Sequence, residues 1–134
     1  MATRTQARES VVGLLYAYDL GNESIIKFSD VILEDKKIRN KQKDFALNLF
    51  NGTIDNLNVL DKEISIHLKQ RELADVGSVE KAILRLSVYE ILFSDLDKPI
   101  IINEAIELSK KLASDNAPKF INGLLDSIKK DSVK

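Results

Sequence analysis

The stretch VEKAILRLSVYEILF, residues 79–93, decides the fold of this chain. Its apolar residues recur at the spacing of an α-helix but form two faces instead of one. One face consists of Val79, Ile83 and Leu86, and the other of Leu84, Val88 and Ile91. A helix that is apolar on two sides needs packing partners on both, so the pattern predicts a central helix surrounded by others.

The segments before this helix also show helical spacing. Residues 4–20 carry one apolar stripe and are followed by Gly21, which is typical of a helix end. Residues 25–33 predict a shorter second helix. A third stripe over residues 46–68 stays on one face for about six turns, provided that the helix continues through Gly52.

Helix-start signals mark the central helix and the two segments after it. Ser78 is predicted to cap the central helix, and Asn103 the next one. The last helix begins at Asn116 or Ala117, since Pro118 is tolerated in a first turn. Strict alternation of apolar and polar residues is missing, so the sequence predicts an all-α fold. We expect a compact bundle of about six to seven helices, in two sub-bundles that share the central helix.

Length and composition predict one globular domain over residues 1–134. The chain is 44% hydrophobic and 31% charged, which is enough apolar material for a core. Its formal net charge is −1, so attraction to nucleic acid must come from local charge asymmetry. A signal-peptide pattern and a membrane-spanning apolar run are both missing from the sequence. We therefore expect a cytoplasmic protein without a membrane partner.

The sequence offers little for catalysis. It has no cysteine, and its one histidine, His67, lies among apolar residues and is interpreted as a partly exposed structural residue. Glycine-rich phosphate motifs and HExxH are absent. Glu90 falls on an apolar face, where a carboxylate must be hydrogen-bonded, so we expect it to accept from a helix N-terminus or a nearby cation. We expect neither an enzyme nor a cofactor or metal site.

Candidate binding residues lie on the first helix and in a basic run. Arg4 and Arg8 lie one turn apart in an N-terminal arm that contains no acid, and such an arm can bind phosphates. Tyr16 faces away from the core stripe, which indicates either a protein partner or cover by the second helix. The basic run consists of Lys36, Lys37, Arg39, Lys41 and Lys43. It is typical of a solvated loop, with auxiliary phosphate contact as the alternative.

The outer face of the last helix forms a second candidate site. It consists of Lys119, Asn122, Gly123 and Asp126. A lysine in a first turn opposes the helix dipole, and an anion bound there would account for it. Gly123 weakens the helix unless another backbone or a ligand approaches closely. The alternative is a solvated face with a packing glycine.

Three ordered motifs, VEKAILRLSVYEIL, INEAIELSKKLA and PKFINGLLDSI, closely resemble the NusB family of bacterial transcription antitermination factors. The segment RTQARESVVGLLYAYDL is similar to the family's arginine-containing first helix. The resemblance implies a noncatalytic helical protein that binds the boxA element of ribosomal RNA operons together with the ribosomal small-subunit protein NusE. Other Nus factors and RNA polymerase are implied as indirect partners.

The resemblance also implies roles for individual residues. The RNA-binding positions are matched by Arg4 and Arg8 in the arginine-rich motif and by Lys119, Phe120 and Asn122 in the KFxNG segment. The positions that contact NusE are matched by Tyr16 and Glu80.

The chain departs from the family pattern between its two N-terminal arginines. Thr5, Gln6 and Ala7 stand where richer members carry further arginines, so the resemblance implies weak RNA binding by the isolated protein. The alternative function is a helical protein–protein adaptor or homodimer without significant RNA binding. RNA binding that depends strongly on Arg4 and Arg8 would separate the two.

Overall fold

The computed structural model describes residues 1–130, which contain seven α-helices, one short 3-10 helix and no strand. The α-helices are α1 (Arg4–Asp19), α2 (Ile25–Asp35), α3 (Lys41–Asp55), α4 (Leu57–Ile66), α5 (Ser78–Phe93), α6 (Lys98–Leu112) and α7 (Ala117–Ser127). The 3-10 helix spans Leu73–Asp75. The predicted all-α fold is confirmed. Within the described part of the chain, no helix is long and apolar enough to cross a membrane.

Helix α5 is the centre of the bundle, as its two apolar faces predict. It packs against α1 and α3 on one side and α6 and α7 on the other, and α4 also lies against it. Both faces are buried, with Ile83, Leu84 and Val88 fully enclosed. Helices α1, α2 and α3 pack on one another, whereas α6 and α7 form a separate pair. The prediction of two sub-bundles sharing this helix is therefore confirmed.

Helix α1 has strong local signals at both ends. The hydroxyl of Thr3 accepts from the backbone N–H of Gln6 at 3.1 Å, and the Gln6 side chain accepts from the N–H of Thr3 at 2.8 Å. This reciprocal capping box fixes the first turn. At the other end Gly21 adopts a left-handed φ of 107°, which glycine reaches without steric cost. The predicted first helix is accordingly confirmed.

The single long helix predicted over residues 46–68 is wrong, because the chain breaks at Asn56. The Asn56 side chain donates to the carbonyl oxygen of Gly52 at 2.7 Å and so satisfies an end group of α3. The apolar stripe continues across the break because α3 and α4 both pack against α5. The break comes one turn after Gly52, which lies inside α3.

The starts of the later helices correct two capping predictions. Helix α5 begins at Ser78 itself, preceded by Gly77. Helix α6 begins at Lys98 with Pro99 in its first turn, so Asn103 lies inside the helix and does not cap it. Proline favours a first turn because its missing N–H has no helical partner there. The predicted start of α7 is confirmed, with Asn116 immediately before it.

A charge network ties α1 and α4 to the central helix. Arg85 of α5 donates to Asp61 of α4 at 2.8 Å through two nitrogens and to Asp19 of α1 at 3.0 Å. Lys81, one turn earlier, lies 3.5 Å from Asp19. Burial lowers the pKa of Arg85, but the bonds to Asp61 and Asp19 outweigh it and leave that pKa raised. Arg85 therefore stays charged and joins three helices.

Candidate nucleic-acid interface

The N-terminal arm is built on an aromatic ring from α3. The guanidinium carbon of Arg4 lies 4.4 Å from the centre of the Phe45 ring, and that of Arg8 lies 5.0 Å from it. Both distances fall within the range of cation–π attraction. Phe45 is half-buried and packs against the core, so it is a firm base for both arginines.

The two arginines of the arm have different environments. Arg8 is only 4% exposed, and its Nε and Nη2 donate to the two carboxylate oxygens of Glu90 at 2.8 and 2.9 Å. The expectation that Glu90 accepts from a nearby cation is confirmed. Burial lowers the pKa of Arg8, but the bond to Glu90 offsets this and the pKa is raised. Arg8 thus bridges α1 and α5, and its contact with RNA stays a prediction.

Arg4 is the cation that the arm leaves at the surface. Its side chain is exposed, and its guanidinium joins none of the ion pairs among the described residues. The neighbouring Thr5 donates to the carboxylate of Glu104 at 3.2 Å, which holds the first turn of α1 against α6. The arm therefore presents one positioned guanidinium to solvent rather than two.

A cleft beside the last helix, which we call the α7 cleft, is lined by some of the predicted residues but not by Asn122 or Asp126. It has a volume of about 440 Å³, and its lining includes Lys119, Phe120 and Gly123. Lys119 and Asn122 are exposed and Phe120 is half-buried. Arg71 also lines the cleft, and its guanidinium carbon lies 4.1 Å from the centre of the Phe120 ring. The α7 cleft thus contains a second arginine–phenylalanine stack.

Gly123 is not a packing glycine. A Cβ atom added there would meet no atom within 4 Å, so no backbone approaches it closely. It opens onto the α7 cleft and leaves space on that side of the helix. Because Gly123 is exposed, both a solvated helix face and approach by a ligand fit its position.

His67 has a structural environment, as predicted. It follows the last residue of α4 and is half-buried. Its Nδ1 lies 3.0 Å from the hydroxyl oxygen of Ser127, which links α4 to α7, and its Nε2 lies 3.5 Å from Glu63. The histidine therefore closes one end of the α7 cleft.

The predicted partner residues lie near a larger cleft, which we call the α1 cleft. Its volume is about 890 Å³, and Tyr16, Lys36, Lys37 and Val79 are among its lining residues. Tyr16 is 38% exposed, so α2 does not cover it. Glu80 is half-buried and follows Val79 in the first turn of α5, but it does not line this cleft. The structure thus leaves Tyr16 available for a partner.

The basic run is partly neutralised. Lys43 lies 2.8 Å from Asp30 and 2.6 Å from Glu34, and Arg39 lies 3.0 Å from Glu34. Lys36 and Lys37 are exposed and face the α1 cleft. The solvated-loop interpretation fits this geometry better than a continuous basic surface.

Sequence reasoning missed two residues of these sites, Phe45 and Arg71. Phe45 follows the basic run and precedes the apolar stripe predicted over residues 46–68. Arg71 lies in a polar turn between α4 and the 3-10 helix. The only signal for Phe45 was its aromatic ring, and the only signal for Arg71 was its charge. Neither residue lies at a regular sequence spacing from its stacking partner.

Comparison with known proteins gives consistent matches over nearly the whole chain. Residues 5–130 match the model of the NusB family. A relative called transcription antitermination protein NusB, from Aliarcobacter butzleri, is 75% identical over 97% of this chain and 99% of its own length.

Solved structures match the fold as well. A structure of T. maritima NusB is 31% identical with a TM-score of 0.86, covering 93% of this chain and 89% of that one. A crystal structure of antitermination factors NusB and NusE in complex with dsRNA matches with 31% identity and a TM-score of 0.83. That match covers 92% of this chain and 93% of the other.

Proposed function

The chain belongs to the NusB family, and from this premise we propose that it is a transcription antitermination factor acting through RNA. It binds the boxA RNA of ribosomal RNA operons together with NusE, as a single RNA-binding domain over residues 1–134. Other Nus factors and RNA polymerase are reached through this complex. The role is one of binding and carries no catalysed reaction. Its support includes the solved complex of a related NusB with NusE and dsRNA.

The observation that carries the proposal is the exposed guanidinium of Arg4, held on the Phe45 ring. A guanidinium can donate two parallel hydrogen bonds to one phosphate. Because Arg4 is already positioned and forms no ion pair with any of residues 1–130, it loses little conformational freedom on binding RNA. Arg4 is therefore the phosphate contact of the arm.

The last helix supplies the second RNA contact. Lys119 lies in the first turn of α7, where free backbone N–H groups and the helix dipole also favour an anion. Phe120 offers an aromatic surface, and the exposed Asn122 offers an amide that can both donate and accept. These three residues together form the second RNA contact.

The partner contact uses Tyr16 and Glu80. Tyr16 is the exposed aromatic side chain of α1, and Leu20, one turn later, is 61% exposed. Aromatic side chains with an apolar body and a polar tip are typical of protein interfaces. NusE binds at these two positions and completes the recognition of RNA.

Arg8 contributes to RNA binding mainly by holding the arm in place. Its hydrogen bonds to Glu90 occupy Nε and Nη2, which leaves only its remaining N–H groups for a phosphate. Truncation of Arg8 alone would leave the Glu90 carboxylate buried and unpaired, so loss of binding in that variant would be ambiguous.

The test is binding of a short boxA-like RNA at two salt concentrations, with and without NusE. Arg4→Ala should weaken binding and give a shallower dependence on salt, because one phosphate contact is lost. The matched control is Lys110→Ala, which removes a cation that is exposed and paired with Glu107 on α6. Equal effects of the two substitutions would contradict a specific role for Arg4.

The role of Arg8 needs a variant that keeps the core intact. Arg8→Met combined with Glu90→Leu removes both buried charges, a change that often preserves stability. We expect this double variant to fold and to retain more RNA binding than Arg4→Ala. Complete absence of RNA binding by the unaltered chain, even with NusE, would instead favour the protein–protein adaptor or homodimer.

A further inference from the structure

The α7 cleft contains an arginine whose geometry is not explained by folding. Arg71 is exposed in the turn after α4, and its guanidinium covers the Phe120 ring at 4.1 Å. It forms no ion pair with any carboxylate among the described residues. One face of its guanidinium rests on the ring, so the other faces away from it. The stack therefore ends in a flat cationic surface.

Among residues 1–130, the charged side chains that line the cleft are all cationic. They are Lys69, Arg71 and Lys119. The chain as a whole has a formal net charge of −1, so this local excess does not follow from composition. A cleft lined by cations raises the local concentration of an anionic ligand.

Gly123 leaves open space in the part of the cleft that it lines, which we call the floor of the cleft. The position of a missing Cβ has no neighbour within 4 Å, and the glycine lies inside α7, where alanine would form a more stable helix. No packing contact in the described structure offsets this cost. The space above Gly123 is continuous with the Arg71–Phe120 stack, because both line the same cleft.

We propose that the α7 cleft holds one unpaired RNA base, stacked on the outer face of the Arg71 guanidinium and extending the Arg71–Phe120 stack over Gly123. Arginine planes and aromatic rings are the surfaces on which proteins stack unpaired RNA bases. Lys69 and Lys119 bind the phosphates on either side of this base. The inference rests on the proposed RNA-binding function and assigns Arg71, Lys69 and Gly123 to it.

The test combines Arg71→Lys with RNAs that each lack one base. Lysine keeps the charge but has no plane, so affinity for intact RNA should fall on the order of tenfold while its dependence on salt stays the same. One abasic RNA should bind the unaltered chain with the same loss, and Arg71→Lys should add nothing further to it. Lys110→Arg, the reverse exchange at an exposed cation of α6 that lines neither cleft, should leave binding unchanged.

Gly123→Ala tests the open floor independently. The added methyl group meets no protein atom, so the variant should melt at the same temperature as the unaltered chain or higher, yet bind intact RNA several-fold more weakly. Unchanged RNA affinity in both Arg71→Lys and Gly123→Ala overturns the base site while the proposed function stands. Failure of the unaltered chain to bind any of the RNAs, with NusE present, overturns both.

Discussion

The two arginine–phenylalanine stacks of this molecule differ in whether a carboxylate binds an arginine of the stack. At the N-terminal arm, the guanidinium groups of Arg4 and Arg8 both lie on the Phe45 ring. Glu90 binds Arg8 in the interior. In the α7 cleft, Phe120 carries Arg71, which no carboxylate of the described residues binds. The difference shows the effect of a buried acid: bound by Glu90, Arg8 links α1 to α5, whereas Arg71 remains a surface group.

The energetics of the two stacks differ for the same reason. A buried ion pair is costly to break, because the remaining charge stays in a medium that solvates it poorly. An exposed guanidinium on a ring contributes only about 0.5–1 kcal/mol. Substitutions of Arg8 or Glu90 should therefore affect folding, whereas substitutions of Arg4 or in the α7 cleft should affect binding.

The largest expected effect is that of Glu90→Leu. It leaves the buried guanidinium of Arg8 without its counterion, so the free energy of unfolding should fall by about 3–5 kcal/mol. Urea denaturation at neutral pH measures this change. Adding Arg8→Met should recover most of the loss, since the core then holds no unpaired charge. A loss below about 1 kcal/mol for Glu90→Leu alone would show that solvent reaches the pair.

A smaller effect is expected for Phe45→Leu, which removes the ring beneath Arg4. The free protein should remain folded, and affinity for boxA-like RNA should fall about two- to fivefold as the cation–π attraction is lost. In an Arg4→Ala background the same substitution should have no further effect. Phe93→Leu is the matched control, because that exposed ring stacks on Tyr89 and carries no guanidinium.

The smallest effect should come from the exposed cluster around Lys43. The hydrogen bond from Lys43 lowers the pKa of Glu34, and the bonds to Asp30 and Glu34 raise the pKa of Lys43. The carboxylate therefore contributes stability above its unfolded pKa, and that contribution is lost as the pH falls through its folded pKa.

Lys43→Gln tests this exposed cluster against the buried pair. NMR titration should show a higher pKa for Glu34 in the variant. The stabilities of the variant and the unaltered chain should differ slightly at neutral pH and converge at acidic pH, once Glu34 is protonated in both. A difference as large as that of Glu90→Leu would mean that exposed and buried pairs contribute alike, against the comparison above.

The apolar periodicity of the sequence predicted the helices that have a clear apolar stripe. Helix α1, the central α5 and the start of α7 follow from stripes and end signals in the sequence. The break at Asn56 left no trace, because the stripe continues through both helices onto the same neighbour. The start of α6 was misplaced because Asn103 resembles a cap, while the helix begins at Lys98 with Pro99 in its first turn.

The site was harder to predict than the fold because its contacts are distant in sequence. Arg4 and Arg8 look equivalent at their spacing of one turn, and only Glu90, 82 residues away from Arg8, makes them different. The expectation that Glu90 needs a cation was correct, but the sequence did not name Arg8 as that cation. Arg71 and Phe120 likewise meet only because α4 and α7 both pack against α5.

Helix α1 is bonded to α5 near both ends of α1, and this fixes the position of α1 along α5. Arg8 bonds to Glu90 and Asp19 bonds to Arg85, so sliding α1 by one turn along α5 would break both connections together. Arg4 and Tyr16 lie twelve residues apart on α1, a spacing of about 18 Å along the helix axis. If Arg4 binds RNA and Tyr16 binds a partner protein, as we propose, α1 keeps these two ligands at a set distance.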